Sequence, residues 1–269
     1  MEALKSIALL DSGVGGLTVV KEIFKQLPEE RIVYFGDTAR MPYGPRPHEE
    51  VRKFAMQIID FLQTQDIKLV IVACNSASAA GLPYYQENVK YPVVGVIEPG
   101  IRAALSHTTT KKVGVIGTEG TINSGAYEEC IRSLDPAVEI FSLACPLFVL
   151  IVENNLIGAK ETRKVAEEYL RPLKEAGVDA LILGCTHYPL MAEVIQEVMG
   201  PEVRLISSAE ETAREAREIL NDRKLLNPSS DNSCHHRFFV SASPENFVEI
   251  GETLINMKVK AYQVILPAI

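Results

Sequence analysis

The chain of 269 residues has no tryptophan, no long apolar run and no cluster of basic residues. Its longest nearly uninterrupted apolar stretch, residues 144–152, is well short of the ~18 residues that a membrane-spanning helix requires, so no membrane span is expected. The formal net charge is −8, from 27 Lys and Arg against 35 Asp and Glu, and adjacent basic residues occur only in pairs such as Lys111 and Lys112. Because binding to nucleic acid or to a membrane surface depends on clustered cations, neither is an expected partner.

The five cysteines are an odd number without close pairs, which argues against a disulfide framework and favours reduced thiols. The first apolar segment, residues 7–10, ends at Asp11 and is too short for the hydrophobic region of a signal peptide. We therefore expect a cytoplasmic protein in which each cysteine needs its own explanation. Cys130 and Cys145 are interpreted as small buried hydrophobic residues.

Short β-rich apolar runs alternate with segments of helical periodicity. The runs predicted as strands are residues 6–10, 32–35, 69–73, 93–96, 112–117, 180–184, 203–206 and 237–241. Between them, apolar residues recur at helical spacing, as in Val51, Phe54, Ala55, Ile58 and Leu62. This alternation predicts an α/β protein with mainly parallel sheets.

An internal repeat predicts two similar α/β domains. Residues 69–76 (LVIVACNS) match residues 180–187 (ALILGCTH) at an offset of 111, and residues 7–13 match residues 113–119 at an offset of 106. The expected domains are residues 1–97 with 208–269, and residues 98–207. We expect pseudo-twofold symmetry between them and an active site in the interdomain cleft.

Polar residues that directly follow predicted strands are the candidate site, since ligands of parallel sheets bind at the carboxyl ends of the strands. They are Asp11, Ser12, Asp37, Cys74, Asn75, Ser76, Thr118, Thr121, Cys185, Thr186 and His187. Tyr43 and Gly44 lie in a Pro-Tyr-Gly-Pro loop whose backbone N–H groups can bind a carboxylate.

The two repeated thiols, Cys74 and Cys185, suggest acid/base chemistry. Pseudo-twofold symmetry would bring them to opposite sides of one bound molecule, and a helix N-terminus favours the thiolate form. One thiol would remove a proton and the other would return one, which is the minimum required to invert a stereocentre without metal or organic cofactor. His187, two residues after Cys185, can share or relay its proton.

Four other interpretations compete with acid/base chemistry at the two thiols. Residues 13–18 (GVGGLT) partly match the dinucleotide-binding motif but end in Thr, with Asp11 placing negative charge nearby. Cys234, His235 and His236 lack a paired ligand motif, so no metal site is expected. A thiol hydrolase using Cys185 and His187 would leave Cys74 without a role, and a non-catalytic amino-acid-binding protein with the same cleft stays open.

In these same residues the chain resembles the cofactor-independent aspartate/glutamate racemase family, and within it the glutamate racemases, over nearly its whole length. The blocks that carry the resemblance are residues 10–17 (LDSGVGGL), 34–44 (YFGDTARMPYG), 73–79 (ACNSASA), 117–121 (GTEGT) and 184–190 (GCTHYPL). The resemblance implies interconversion of L- and D-glutamate, the product entering peptidoglycan precursors, and commonly a homodimer. Aspartate racemase is the alternative within the family.

The resemblance also implies roles for individual residues. Cys74 is expected to act on D-glutamate and Cys185 on L-glutamate, assisted by Asp11 and His187, with Asp37 and Glu153 as further supporting groups. The implied substrate contacts are Asp11, Ser12, Tyr43, Gly44, Asn75, Ser76, Thr118, Thr121, Thr186 and His187. Two residues depart from the family pattern: Ser76 replaces a usual Thr, and Leu150 replaces a frequent Pro, so we expect a different loop leading to Glu153.

Overall fold

A computed structural model describes residues 2–228 and 236–267 of the chain. The chain forms two compact units, unit 1 (Met1–Val96 with Ala209–Ile269) and unit 2 (Ile97–Ser208). The strands are β1 (Ser6–Asp11), β2 (Ile32–Gly36), β3 (Ile67–Val72), β4 (Val93–Gly95), β5 (Lys112–Gly117), β6 (Glu139–Ala144), β7 (Ala180–Gly184), β8 (Arg204–Ile206), β9 (Arg237–Val240) and β10 (Ala261–Gln263).

The helices are α1 (Leu17–Gln26), α2 (His48–Gln63), α3 (Asn75–Asn88), α4 (Ile97–His107), α5 (Glu119–Asn123), α6 (Ala126–Leu134), α7 (Pro146–Glu153), α8 (Lys160–Ala176), α9 (Ala192–Met199), α10 (Ser208–Asp222) and α11 (Pro244–Ile255). Two 3-10 turns, Glu2–Leu4 and Tyr188–Met191, complete the regular structure of the described residues. Within residues 2–228 and 236–267, no helix combines the length and the apolar character needed to cross a membrane.

The sheet of unit 1 has six parallel strands in the order β10-β9-β2-β1-β3-β4. Its central strands are buried on both faces, as parallel sheets covered by helices require. In β1, Ile7 and Leu9 pack into the core that includes α1 and α11, while Ala8 and Leu10 pack into the core that includes α2 and α3.

The sheet of unit 2 has four parallel strands in the order β6-β5-β7-β8. This repeats the order β2-β1-β3-β4 of unit 1. The registers repeat as well, because Leu10 pairs with Val72 and Ile116 pairs with Leu183, at the same offsets of 106 and 111 that the sequence shows. The predicted α/β class with parallel sheets is confirmed.

Two strands, β6 and β10, were missing from the sequence-based prediction. Both lie at the edge of a sheet and pair with one neighbour only. Their residues are largely intermediate or exposed, so the sequence lacks the continuous apolar run that marks the central strands.

Candidate active site

Cys74 lies two residues beyond β3, at the N-cap of α3, with 5% of its surface exposed. Its Sγ is 3.8 Å from the Oγ of Ser12, which follows β1. The N-terminus of a helix favours negative charge, and this setting stabilises the thiolate of a cysteine at the N-cap. Asn75 and Ser76 form the first turn of α3 and are buried with it.

Asp11 ends β1 as a fully buried carboxylate. Its Oδ2 accepts a hydrogen bond from the backbone N–H of Gly13 at 2.9 Å. A Cβ at Gly16 would lie 2.6 Å from the Cβ of Asp11, so only glycine allows the start of α1 to approach this side chain. Asp11, Ser12 and Cys74 are thus fixed together at the carboxyl end of the unit 1 sheet.

Asp37 is also fully buried, but its carboxylate is occupied by protein donors. Oδ2 accepts hydrogen bonds from the hydroxyl of Tyr43 and from Nε of Arg40, the latter at 2.7 Å, and Oδ1 accepts one from Ser241 at 2.8 Å. Burial and the adjacent Asp37 charge raise the pKa of Tyr43 well above its ordinary value, so its hydroxyl stays a donor. The Tyr43 hydroxyl is therefore engaged by Asp37. The groups of the loop through Gly44 that could bind a ligand are its backbone N–H groups.

Thr118 directly follows β5, at the position equivalent to Ser12 after β1, and Thr121 lies in the first turn of α5. Thr118 is the N-cap of α5 and accepts a hydrogen bond from the backbone N–H of Thr121 at 3.4 Å. The two hydroxyl oxygens are 3.0 Å apart, and both residues are buried. They bring two hydroxyl groups to the carboxyl end of the unit 2 sheet.

Cys185 follows β7 and is hydrogen-bonded to His187, which in turn is hydrogen-bonded to Glu153. The Sγ of Cys185 is 3.7 Å from Nδ1 of His187, and Nε2 of His187 is 2.5 Å from Oε1 of Glu153. Burial disfavours the imidazolium, but the hydrogen bonds to Cys185 and Glu153 outweigh it and raise the pKa of His187 to about 10. A cation is therefore held beside the thiol at neutral pH. Thr186, between the two, is buried as well.

Glu153, which bonds His187, is the last residue of α7. The sequence-based description of the segment before Glu153 as a loop is wrong, because residues 146–153 form a helix. Leu150 lies inside α7, where a proline would remove a helical N–H donor and clash with the preceding turn. Pro146 instead occupies the first turn, where its missing N–H costs nothing.

Sequence reasoning missed Arg40 and Ser241, which hold Asp37. Arg40 lies in the 34–44 block that carried the family resemblance, and Ser241 directly follows β9, so the rule of polar residues after strands could have found it.

Cys145 is buried, and burial raises the pKa of its thiol to about 12. Of the three residues compared with a metal-ligand motif, Cys234 and His235 lie outside the described residues. Nδ1 of the third, His236, accepts a hydrogen bond from the backbone N–H of Ile32 at 3.3 Å.

These features define a duplicated α/β protein that carries, in each half, one buried cysteine at the same position after the equivalent strand, two residues beyond Val72 of β3 or Leu183 of β7. The chain belongs to the Asp/Glu/Hydantoin racemase family, whose sequence model matches residues 10–216. Membership of the aspartate/glutamate racemase family, expected from the sequence blocks, is confirmed.

Within this family, the chain is similar over nearly its whole length to several glutamate racemases. A glutamate racemase of Geobacter metallireducens is 51% identical over 265 residues, which is 98% of either chain. The crystal structure of a glutamate racemase isoform from Bacillus anthracis is 44% identical, with a TM-score of 0.94 over 98% of both chains. That of glutamate racemase from Francisella tularensis in complex with D-glutamate is 37% identical, with a TM-score of 0.91 over 98% of both chains.

Proposed function

We propose that this chain is a glutamate racemase that interconverts L- and D-glutamate without a cofactor, using Cys74 and Cys185 as its two acid/base groups. The observation that carries this proposal is the equivalence of the two thiols. Cys74 lies two residues after Val72 and Cys185 lies two residues after Leu183, and these two residues occupy equivalent positions in β3 and β7 of the duplicated topology. The Geobacter relative and the Francisella complex with D-glutamate support glutamate as the substrate.

In the proposed reaction, one cysteine thiolate takes the α-hydrogen of glutamate as a proton, and the C–H electron pair remains on the substrate as an enediolate. The opposite thiol then donates its proton to the other face of the same carbon. Cys185 would deprotonate L-glutamate and Cys74 would deprotonate D-glutamate. After one turnover the two sulfurs have exchanged protonation states, so the enzyme is set for the reverse direction without any added reactant.

His187 and Glu153 support the thiolate on the Cys185 side. The imidazolium of His187, kept charged by Glu153, lies beside the sulfur and favours its anionic form. On the Cys74 side, Asp11 and Ser12 are the polar neighbours. We propose that the Asp11 carboxylate orients the thiol or the substrate ammonium group.

The charge that develops on the α-carboxylate needs hydrogen-bond donors that are already in place. We assign this role to Asn75, Ser76 and Thr186, with Thr118 and Thr121 as neighbouring hydroxyl groups. Donors of this kind are each worth ~3 kcal/mol in comparable sites. The backbone at Tyr43 and Gly44 would bind the distal carboxylate, with Asp37 holding that loop in position rather than transferring protons.

The wider setting belongs to the same proposal. We infer that residues 1–97 with 208–269 and residues 98–207 act as two domains, each of which supplies one of the two thiols. We also propose that the enzyme works as a homodimer in the cytoplasm, where its D-glutamate would supply peptidoglycan synthesis.

The decisive experiment follows the α-hydrogen of glutamate by NMR in deuterated water while circular dichroism follows inversion. We expect exchange and inversion with L- and D-glutamate, and much slower exchange with aspartate. Faster turnover of aspartate would make the chain an aspartate racemase instead. Binding of glutamate without exchange would indicate an amino-acid-binding protein, and hydrolysis of an acyl substrate without exchange would favour a thiol hydrolase.

A further inference from the structure

Tyr188 is a fully buried residue next to His187 in the turn Tyr188–Met191. Its hydroxyl donates a hydrogen bond to the backbone carbonyl of Cys145 at 2.9 Å. Its ring packs edge-on against Phe148, with ring centroids 5.4 Å apart. Burial raises the pKa of Tyr188 well above its ordinary value, so the hydroxyl remains a donor across the working pH range.

Both contacts of Tyr188 are made to the start of α7, since Cys145 is the N-cap of this helix and Phe148 lies in its first turn. The end of α7 is held by the neighbouring residue, because Glu153 bonds His187. Eight helical residues span about 12 Å. Two consecutive residues, His187 and Tyr188, therefore contact opposite ends of α7.

We infer that Tyr188 is a positioning residue for racemisation, which sets α7 so that the Glu153 carboxylate meets His187 beside Cys185. This inference rests on the proposed function and assigns a role to a residue that does not itself touch the substrate. Without the hydrogen bond from Tyr188 to Cys145, the start of α7 would be held by side-chain packing alone at this point and would be less well fixed. The Glu153 carboxylate at the end of α7 would then sample positions away from the imidazole of His187.

The test uses Tyr188→Phe, which removes the hydroxyl and keeps the ring. The Cys145 carbonyl keeps a second donor, the N–H of Phe148 at 3.1 Å, so we expect the variant to fold. We expect the pKa of His187, followed by NMR of its ring, to fall by about one unit or more as the carboxylate moves away. The value of kcat/KM should fall about tenfold, mainly through kcat.

Glu153→Gln provides the coupling test. If Tyr188 acts through Glu153, the double variant should be no slower than Glu153→Gln alone, because the residue being positioned is already lost. Multiplied losses in the double variant, or an unchanged His187 pKa in Tyr188→Phe, would overturn the inference. The His187 titration needs no turnover, so this result stands apart from the outcome of the racemase assay.

Tyr85→Phe is the matched control. It also deletes a buried tyrosine hydroxyl that donates to a backbone carbonyl, that of Ala77 at 3.1 Å, but it does so in unit 1. We expect the His187 pKa to be unchanged in this variant, and a shift of equal size would contradict a specific role for Tyr188. Should Tyr188→Phe fail to fold, Phe148→Leu loosens the same attachment from the α7 side and is judged by the same titration.

Discussion

Glu153→Gln tests the electrostatic basis of the Cys185 site, because it removes the charge of Glu153 and keeps a side chain of the same shape. With a pKa of about 10, only ~0.1% of His187 is neutral at pH 7. Loss of an adjacent opposite charge lowers a pKa by ~1–3 units. The neutral fraction at pH 7 should therefore rise roughly 10- to 500-fold, to about 1–50%, so at the upper end about half of the molecules would lose the cation beside Cys185.

The same substitution has a stability consequence whose sign follows from the direction of the shift. A histidine whose pKa is raised on folding stabilises the protein fully below its unfolded pKa, ~6.5, and this contribution is lost as the pH rises through about 10. Since each pKa unit corresponds to ~1.4 kcal/mol, Glu153→Gln should lower the free energy of unfolding at pH 6 by about 1.4–4 kcal/mol. The difference from the unsubstituted protein should shrink towards pH 10.

Two measurements check this prediction: NMR titration of the His187 ring, and urea unfolding at pH 6 and near pH 10. Glu197→Gln is the matched control, because Glu197 also pairs with a cation in unit 2, Arg163 at 2.8 Å, but on the exposed surface. It should change neither quantity appreciably. If His187 in Glu153→Gln titrates at the same pH as in the unsubstituted protein, the carboxylate does not set its charge and the reasoning is refuted.

Three further predictions concern the thiols and unit 1. Cys74→Ala and Cys185→Ala should each slow racemisation by ~10²-fold or more. Exchange of the α-hydrogen in deuterated water should persist for L-glutamate in Cys74→Ala and for D-glutamate in Cys185→Ala. NMR that shows exchange of both enantiomers in either variant would contradict the two-thiol assignment. Asp37→Asn should raise KM for glutamate more than it lowers kcat, because Asp37 anchors the loop proposed to bind the distal carboxylate; steady-state kinetics in which kcat alone falls would instead implicate it in proton transfer. Gly16→Ala should lower the free energy of unfolding in urea by about 1–3 kcal/mol, since the new methyl group would lie 2.6 Å from the Cβ of Asp11; unchanged stability would mean that the start of α1 shifts freely.

The central strands were predictable from the sequence because they are buried on both faces. β1, β3, β5 and β7 each contain a run of buried apolar residues, and a residue of the candidate site lies within two residues after the end of each strand. The edge strand β6 was not predictable in this way. It begins with exposed Glu139 and contains Ser142, so neither a continuous apolar run nor clear alternation marks it.

The individual site residues were predictable from their positions after strands, but their partners were not. Glu153 and His187 are 34 residues apart, and their hydrogen bond depends on how α7 packs on the turn after β7. Asp37 shows the same limit: the sequence suggested a supporting role near the substrate, and the three side-chain donors around its carboxylate emerged only with the fold. Spacing along the chain locates strand ends, whereas hydrogen-bond partners depend on tertiary packing.

The two halves support their thiols in different ways, but a comparison of kcat/KM for the two directions of racemisation cannot reveal this difference. Cys185 has a histidine and a glutamate beside it, whereas Cys74 has Ser12 and the buried Asp11 near it. The enantiomers of glutamate have equal free energies in water, so kcat/KM must be the same in both directions for any variant of a racemase. An asymmetric defect can appear only in kcat and KM taken separately, or in isotope exchange from one enantiomer. The assignment of Cys74 to D-glutamate and Cys185 to L-glutamate therefore depends on single-thiol exchange experiments, because a ratio of catalytic efficiencies carries no information about direction.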